Sequence, residues 1–364
     1  MVSTRPVASF RTNLVTALLS TWFTIGLFLD AWAHNNVPEL ETFFTLWHAV
    51  FYWGFAATAA WIGWNSRGAL RTDRPRIESI PVGYGAAVVA VAGFALAAAG
   101  DLTWHTVFGI EQRIDILFSP THLGLAASMF VIVLTPLRAA WADRSQPAAP
   151  GMWRLLPAVL GTALASTLVL LFFQYGNALT FGSGDIAVGM STVEEGFTSH
   201  VVSSIALTNL VLLAPILALA RRWTLPFGAV TIIYTALGGL SLAITGFDNV
   251  DLIVGLIVAG LCVDLLAGWM RPTPARPLWF RLFAAGVPLI TWTIVIVTGL
   301  LTSPLVVGPD GSSPGLIPEL VTGVPVVQSL VGLIAGVLLV PDRSSVDQSA
   351  AKVMNSDKAS ATSP

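Results

Sequence analysis

Apolar stretches of about 20 residues follow one another along most of the chain, with short polar connections between them. A helix of that length crosses the hydrocarbon core of a bilayer. The pattern therefore predicts an all-α, polytopic integral membrane protein with ten transmembrane helices. These helices are expected at residues 12–34, 43–65, 80–101, 119–138, 154–175, 199–220, 226–246, 251–270, 282–301 and 325–341.

The composition supports a membrane protein and excludes several other classes. Hydrophobic residues make up 55% of the chain and charged residues 10%, whereas a soluble domain carries about 25% charged residues. The 18 basic residues do not exceed the 20 acidic ones, and Cys262 is the single cysteine. A nucleic-acid partner and a disulfide scaffold are therefore excluded. The predicted partner is the lipid bilayer, and a homo-oligomer or partner subunits stay open.

The basic residues predict the orientation of the spans. Seventeen of the 18 Lys and Arg residues fall on alternate connections, and Arg113 is the exception. By the positive-inside rule, both termini are cytoplasmic in a multi-pass protein of the cell membrane. Residues 1–341 form a single transmembrane domain whose first span is retained rather than cleaved as a signal peptide. Residues 342–364 are rich in Ser, Ala and Asp and predict a disordered cytoplasmic tail.

Polar residues recur with a regular period along the predicted spans. Outward-running helices end at Asp30, Asp101, Gln174 and Asp248, which are spaced by 71, 73 and 74 residues. The returning helices begin near His48, His122, His200 and Asp251. This period predicts helical hairpin repeats at 12–65, 80–138, 154–220 and 226–270, followed by a helix pair at 282–341 that fits the pattern poorly.

The first two repeats carry the same pattern of metal-ligating residues. An aspartate precedes a histidine by four positions in LDAWAH and again in GDLTWH, and residues at i and i+4 share one face of a helix. The returning helices add one histidine each, and Glu39, Glu41, Glu111 and Asp115 lie in the connecting turns. The predicted metal ligands are Asp30, His34, His48, Asp101, His105, His122 and His200.

Two interpretations of these histidines stay open. All five histidines of the chain sit at predicted outer helix ends, where a single histidine commonly serves as an interfacial anchor or cap. The repeated pairing with aspartate favours a metal site, because ionisable groups near a bilayer are costly unless they are paired or functional. Imidazoles and carboxylates without thiolates suit copper, zinc or iron, bound singly at each hairpin or together in one multinuclear site.

The string Asp30-x3-His34-x13-His48 resembles the copper-site motif in the C subunit of particulate methane and ammonia monooxygenases. Asp101-x3-His105-x16-His122 resembles it more loosely. The similarity covers about 20 residues in each repeat. It implies one copper site formed by the first three residues and a second formed by the other three.

The functional hypothesis is an integral membrane metalloprotein with a His/Asp metal site near the outer face, such as a copper-dependent oxidase or monooxygenase. The alternative is a transporter or metal-handling permease that uses the same cluster, with Asp264 on the inward path. A haem protein is a third alternative. Asp264 falls 13 residues into a predicted span, so it is either an ion relay or a partner of Arg271.

The charge asymmetry makes a testable prediction about topology. Both termini should face the cytoplasm, and the connections near 35–42, 102–118, 176–198 and 302–324 should face outward. Single cysteines placed in these connections, in a background without Cys262, should react with an impermeant thiol reagent added outside intact cells. Labelling of a cysteine within 176–198 only from the cytoplasmic side would overturn this topology.

Overall fold

The computed structural model describes residues 5–37, 45–70, 77–109, 117–192, 194–303 and 315–341. Within these ranges the chain is helical and forms no β-sheet. The α-helices are α1 (Phe10–Asn36), α2 (Leu46–Ser66), α3 (Gly85–Phe108), α4 (Pro120–Val133), α5 (Thr135–Ala142), α6 (Met152–Phe172), α7 (Ser183–Gly189), α8 (Glu195–Arg222), α9 (Ala229–Ile244), α10 (Val250–Met270), α11 (Pro277–Thr302) and α12 (Pro318–Leu339). The tail at 342–364 and the turn residues Glu39, Glu41, Glu111 and Asp115 lie outside the described ranges.

Eight helical segments of the described chain are long and apolar enough to cross a membrane, with α4 and α5 together forming one of them. The other two predicted spans, at 43–65 and 226–246, also contain helices, but neither helix is both long enough and apolar enough to be counted. Helix α2 has 21 residues, and its four tryptophans and His48 make it less apolar. Helix α9 has 16 residues, about 24 Å of helix, which is shorter than a hydrocarbon core of about 30 Å.

Helices α1 and α2 form a tightly packed antiparallel hairpin. A Cβ added to Gly26 of α1 would lie 2.5 Å from the Phe51 Cα of α2. Reciprocally, a Cβ on Gly54 of α2 would lie 2.7 Å from the Phe23 Cα of α1. Small residues let two helix backbones approach this closely, as is common between membrane helices. The pairing of earlier residues in α1 with later residues in α2 fixes the antiparallel register.

Helices α3 and α4 form a second hairpin in the same manner. A Cβ on Gly93 would meet the Ser128 hydroxyl at 2.9 Å, and one on Gly124 would meet the Ala97 Cβ at 3.1 Å. These contacts again show that the two helices run antiparallel. The end of α3 therefore lies beside the start of α4, just as the end of α1 lies beside the start of α2.

The third predicted hairpin, at 154–220, does not repeat this arrangement, whereas α9 and α10 do pack as antiparallel neighbours, with Gly260 close to Thr231. Helix α6 packs mainly against α9 rather than against α8, its partner in the predicted hairpin at 154–220. Helix α10 packs against both α9 and α11, and α11 packs closely against α12, where Gly332 approaches the Ala284 carbonyl. The pair at 282–341 is therefore part of the main helical core.

Asp264 is a buried helix cap. Its side chain in α10 is 1% exposed and accepts hydrogen bonds from the backbone N–H groups of Val230 (2.9 Å) and Thr231 (3.0 Å). The Thr231 hydroxyl donates a third bond at 2.6 Å. The first N–H groups of a helix have no partners within it, and Gly228 before α9 has no side chain to serve them. Asp264 thus supplies the missing cap from a neighbouring helix rather than pairing with Arg271.

This role predicts a stability defect. We expect Asp264→Ala to lower the free energy of unfolding by about 1–3 kcal/mol, because buried N–H groups lose their acceptor. Thermal unfolding of purified protein in detergent provides the measurement. Leu265→Ala is the matched control, since Leu265 follows Asp264 on α10 and its side chain is 63% exposed. Wild-type stability of Asp264→Ala would contradict the capping role.

Candidate metal centre

The first triad consists of Asp30 and His34 from the end of α1 and His48 from the start of α2. The Asp30 carboxylate lies 3.8 Å from His34 Nε2 and 3.3 Å from His48 Nε2. The i, i+4 spacing places the first two side chains on one face of α1. The hairpin then brings His48 to the same carboxylate. One ligand atom from each residue can be chosen so that all three lie within 4.8 Å of one another.

The second triad has the same construction. Asp101 and His105 end α3, and His122 begins α4. The Asp101 carboxylate lies 3.5 Å from His105 Nε2 and 3.7 Å from His122 Nδ1. The three ligand atoms again lie within 4.8 Å of one another. Six of the seven predicted ligands are therefore assembled into two equivalent groups.

Both returning histidines are placed by a helix cap. The Thr45 hydroxyl accepts a hydrogen bond from the His48 N–H at 3.1 Å, and the Ser119 hydroxyl accepts one from the His122 N–H at 3.2 Å. Each histidine is thus the third residue of a helix whose N-cap is Thr or Ser. The sequence carries this signal as Thr/Ser-x2-His, which is a recognisable helix start.

The second triad has further support from neighbouring hydroxyls. The Thr121 hydroxyl donates to Asp101 Oδ1 at 2.8 Å, and the Ser119 hydroxyl lies 2.6 Å from His122 Nδ1. The Asp101 side chain is 4% exposed, against 16% for Asp30. Hydrogen bonds of this kind fix the orientation of metal ligands. Sequence spacing gave no signal for Thr121, because its partner lies on another helix.

The two triads open into one cavity. Asp30 and His48 from the first triad line it, as do Asp101 and His122 from the second. The rest of the lining is mostly apolar and consists of Leu27, Phe51, Tyr52, Phe94, Leu117, Leu125, Ala126, Met129, Leu168, Leu171 and Phe172. The two triads therefore lie beside a common space.

Two of the rings that line the cavity, Phe51 and Phe94, belong to a cluster of four phenylalanines. Phe23 and Phe94 precede the two aspartates by seven residues, about two helical turns, and pack against Phe51 and Phe55. The ring centroids in this cluster lie 4.3–5.8 Å apart. A packed aromatic cluster therefore lies about two helical turns from the two aspartates.

His200 lies apart from both triads. It is exposed in the first turns of α8, and its ring contacts Phe181 and Phe197 with centroids 5.6 and 6.2 Å away. Neither metal-competent group among the described residues includes it. Within the described residues, no other metal-ligating side chains are grouped with His200 as its predicted role would require.

The comparisons with known proteins find no relatives. No protein family, no curated protein and no solved structure matches the chain. The resemblance to the copper-site motif of the monooxygenase subunit consequently remains an expectation, carried only by the short motif. The described structure is helical, has eight segments that are long and apolar enough to cross a membrane, and contains two Asp/His/His groups that could each hold a metal ion.

The hydrogen bond from Thr121 to Asp101 makes a specific prediction. We expect Thr121→Val to weaken metal binding at the second triad by about 10–100-fold, because the carboxylate loses the donor that orients it. Competition with a chelator measures the affinity. Thr103→Val is the control, since the Thr103 hydroxyl bonds only to the carbonyl of Ala99 in its own helix. Equal affinities of wild type and Thr121→Val would show that this hydrogen bond does not position the ligand.

Proposed function

We propose that this chain is an integral membrane metalloprotein that binds one transition-metal ion at each Asp/His/His triad and carries out redox chemistry in the cavity between them. The observation that carries the proposal is the convergence of Asp30, His48, Asp101 and His122 on one cavity. Ligands of each triad come from two helices held in fixed register by close glycine contacts. Such rigid placement is what a preorganised metal site requires.

The donor set favours copper. Each triad offers two imidazoles and one carboxylate, and no thiolate is present because Cys262 lies elsewhere, in α10. Imidazole and carboxylate suit Cu(II), zinc or non-haem iron, and among these Cu(II) forms the most stable complexes with a given site. Three protein ligands leave a coordination position open, as catalytic rather than structural sites do.

The cavity walls favour oxidation chemistry over transport. A bound copper ion would supply one-electron redox steps and oxygen activation. The residues of this chain would hold the metal, and the mostly apolar Leu and Phe walls would favour a small apolar substrate beside it. We therefore propose a copper-dependent oxidase or monooxygenase.

A transporter or metal-handling permease is the alternative, and it needs a continuous polar route for its ion. Phe51 and Phe94 line the cavity and pack with Phe23 and Phe55, and these four rings provide no polar group for an ion. The buried carboxylate of Asp264 is engaged in capping α9. Both observations favour a reaction site and argue against a transport path through the protein.

Metal content tests this proposal. Purified wild-type protein, reconstituted with Cu(II) and freed of excess ion, should hold two equivalents per chain. His34→Ala and His105→Ala should each lose about one equivalent, because each removes one of three ligands, and the double variant should lose both. His200→Ala should retain both and is the matched control. Elemental analysis of the four variants and the wild type decides the result.

Two results would contradict the proposal. Equal metal in the wild type and all variants would return these histidines to a role as interfacial anchors. The variants Asp30→Asn and Asp101→Asn keep the side-chain shape and remove the charge that offsets a dication. Unchanged metal content in both variants, together with loss of ion uptake in reconstituted vesicles, would establish the transporter instead.

A further inference from the structure

Tyr52 lines the cavity that the two triads share. It lies four residues after His48 on α2, so that both side chains share a face, and the two ring centroids are 6.1 Å apart. Tyr52 lines the same cavity as Asp30 and Asp101, one aspartate from each triad. Apart from the metal-competent side chains, it is the one hydrogen-bond donor among the described residues that line this cavity.

The charges around the cavity do not balance when metal is bound. A triad of one carboxylate and two neutral imidazoles carries a single negative charge, so each bound dication leaves one net positive charge. The described lining contains no further anionic side chain. Uncompensated charge is costly beside apolar walls such as those formed by Phe51, Phe94 and Leu168. With both triads loaded, the cavity carries two net positive charges and therefore favours a negatively charged ligand; a single monovalent anion between the triads offsets half of this charge.

We propose that the cavity is a binding site for one small monovalent anion, held between the two metal-loaded triads and hydrogen-bonded by the Tyr52 phenol. This inference rests on the proposed function, because the positive charge comes from the bound metal ions. The open coordination positions attract the anion's lone pairs, and the phenol O–H donates to it. The cavity volume of about 70 Å³ limits the ligand to a few atoms, such as hydroxide, azide or formate.

Azide is a suitable probe because its binding to Cu(II) produces a charge-transfer absorption band. Titration of copper-loaded wild-type protein with azide should show saturation at one azide per chain. Tyr52→Phe should retain both copper equivalents and bind azide about 10-fold or more weakly, since a hydrogen bond to a charged ligand is lost. Tyr175→Phe is the matched control, because Tyr175 is 50% exposed and lies outside the cavity.

The outcomes separate this inference from the proposed function. Normal copper content with no azide binding, or with two independent azides per chain, overturns the shared anion site and leaves the metalloprotein intact. Equal azide affinity in Tyr52→Phe and wild type overturns the role of the phenol. Absence of copper from the wild-type protein overturns the metalloprotein and the anion site together.

Discussion

The arrangement where α1 and α3 end and α2 and α4 begin depends on the cost of placing a carboxylate among apolar helices. Asp30 and Asp101 are both largely buried, and a buried carboxylate is tolerated only with partners. Each aspartate has two imidazoles within 4 Å, one from its own helix and one from the returning helix. This requirement ties each helix end to the next helix start and gives the two hairpins the same geometry.

The same constraint is met differently in the second half of the molecule. Asp264 is also buried, but its partners are backbone N–H groups at the start of α9 rather than imidazoles. That arrangement satisfies a helix end and consumes the carboxylate's hydrogen-bonding capacity. The described part of the chain therefore contains buried aspartates of two kinds, and within it only those beside histidines are arranged to hold a cation.

Polar side chains are unevenly distributed along helices α1 to α4, and this distribution supports the proposed function. The triads, Tyr52 and Thr121 gather at one end of α1 to α4, and a packed cluster of phenylalanines lies about two helical turns from the two aspartates. Metal ions bound there would face a small, mostly apolar space instead of an aqueous channel. Such a space strengthens electrostatic interactions with whatever ligand enters it, which suits redox catalysis and anion binding.

The sequence by itself determined the helical membrane fold and the content of each triad. Apolar length predicts helices, and Asp-x3-His places two ligands on one face because the helical repeat is fixed by the backbone. Tertiary structure alone decided which elements meet: α6 packs against α9, both triads share one cavity, Thr121 supports Asp101, and His200 remains beside phenylalanines. These outcomes depend on side-chain packing between helices far apart in the chain, for which local periodicity carries no information.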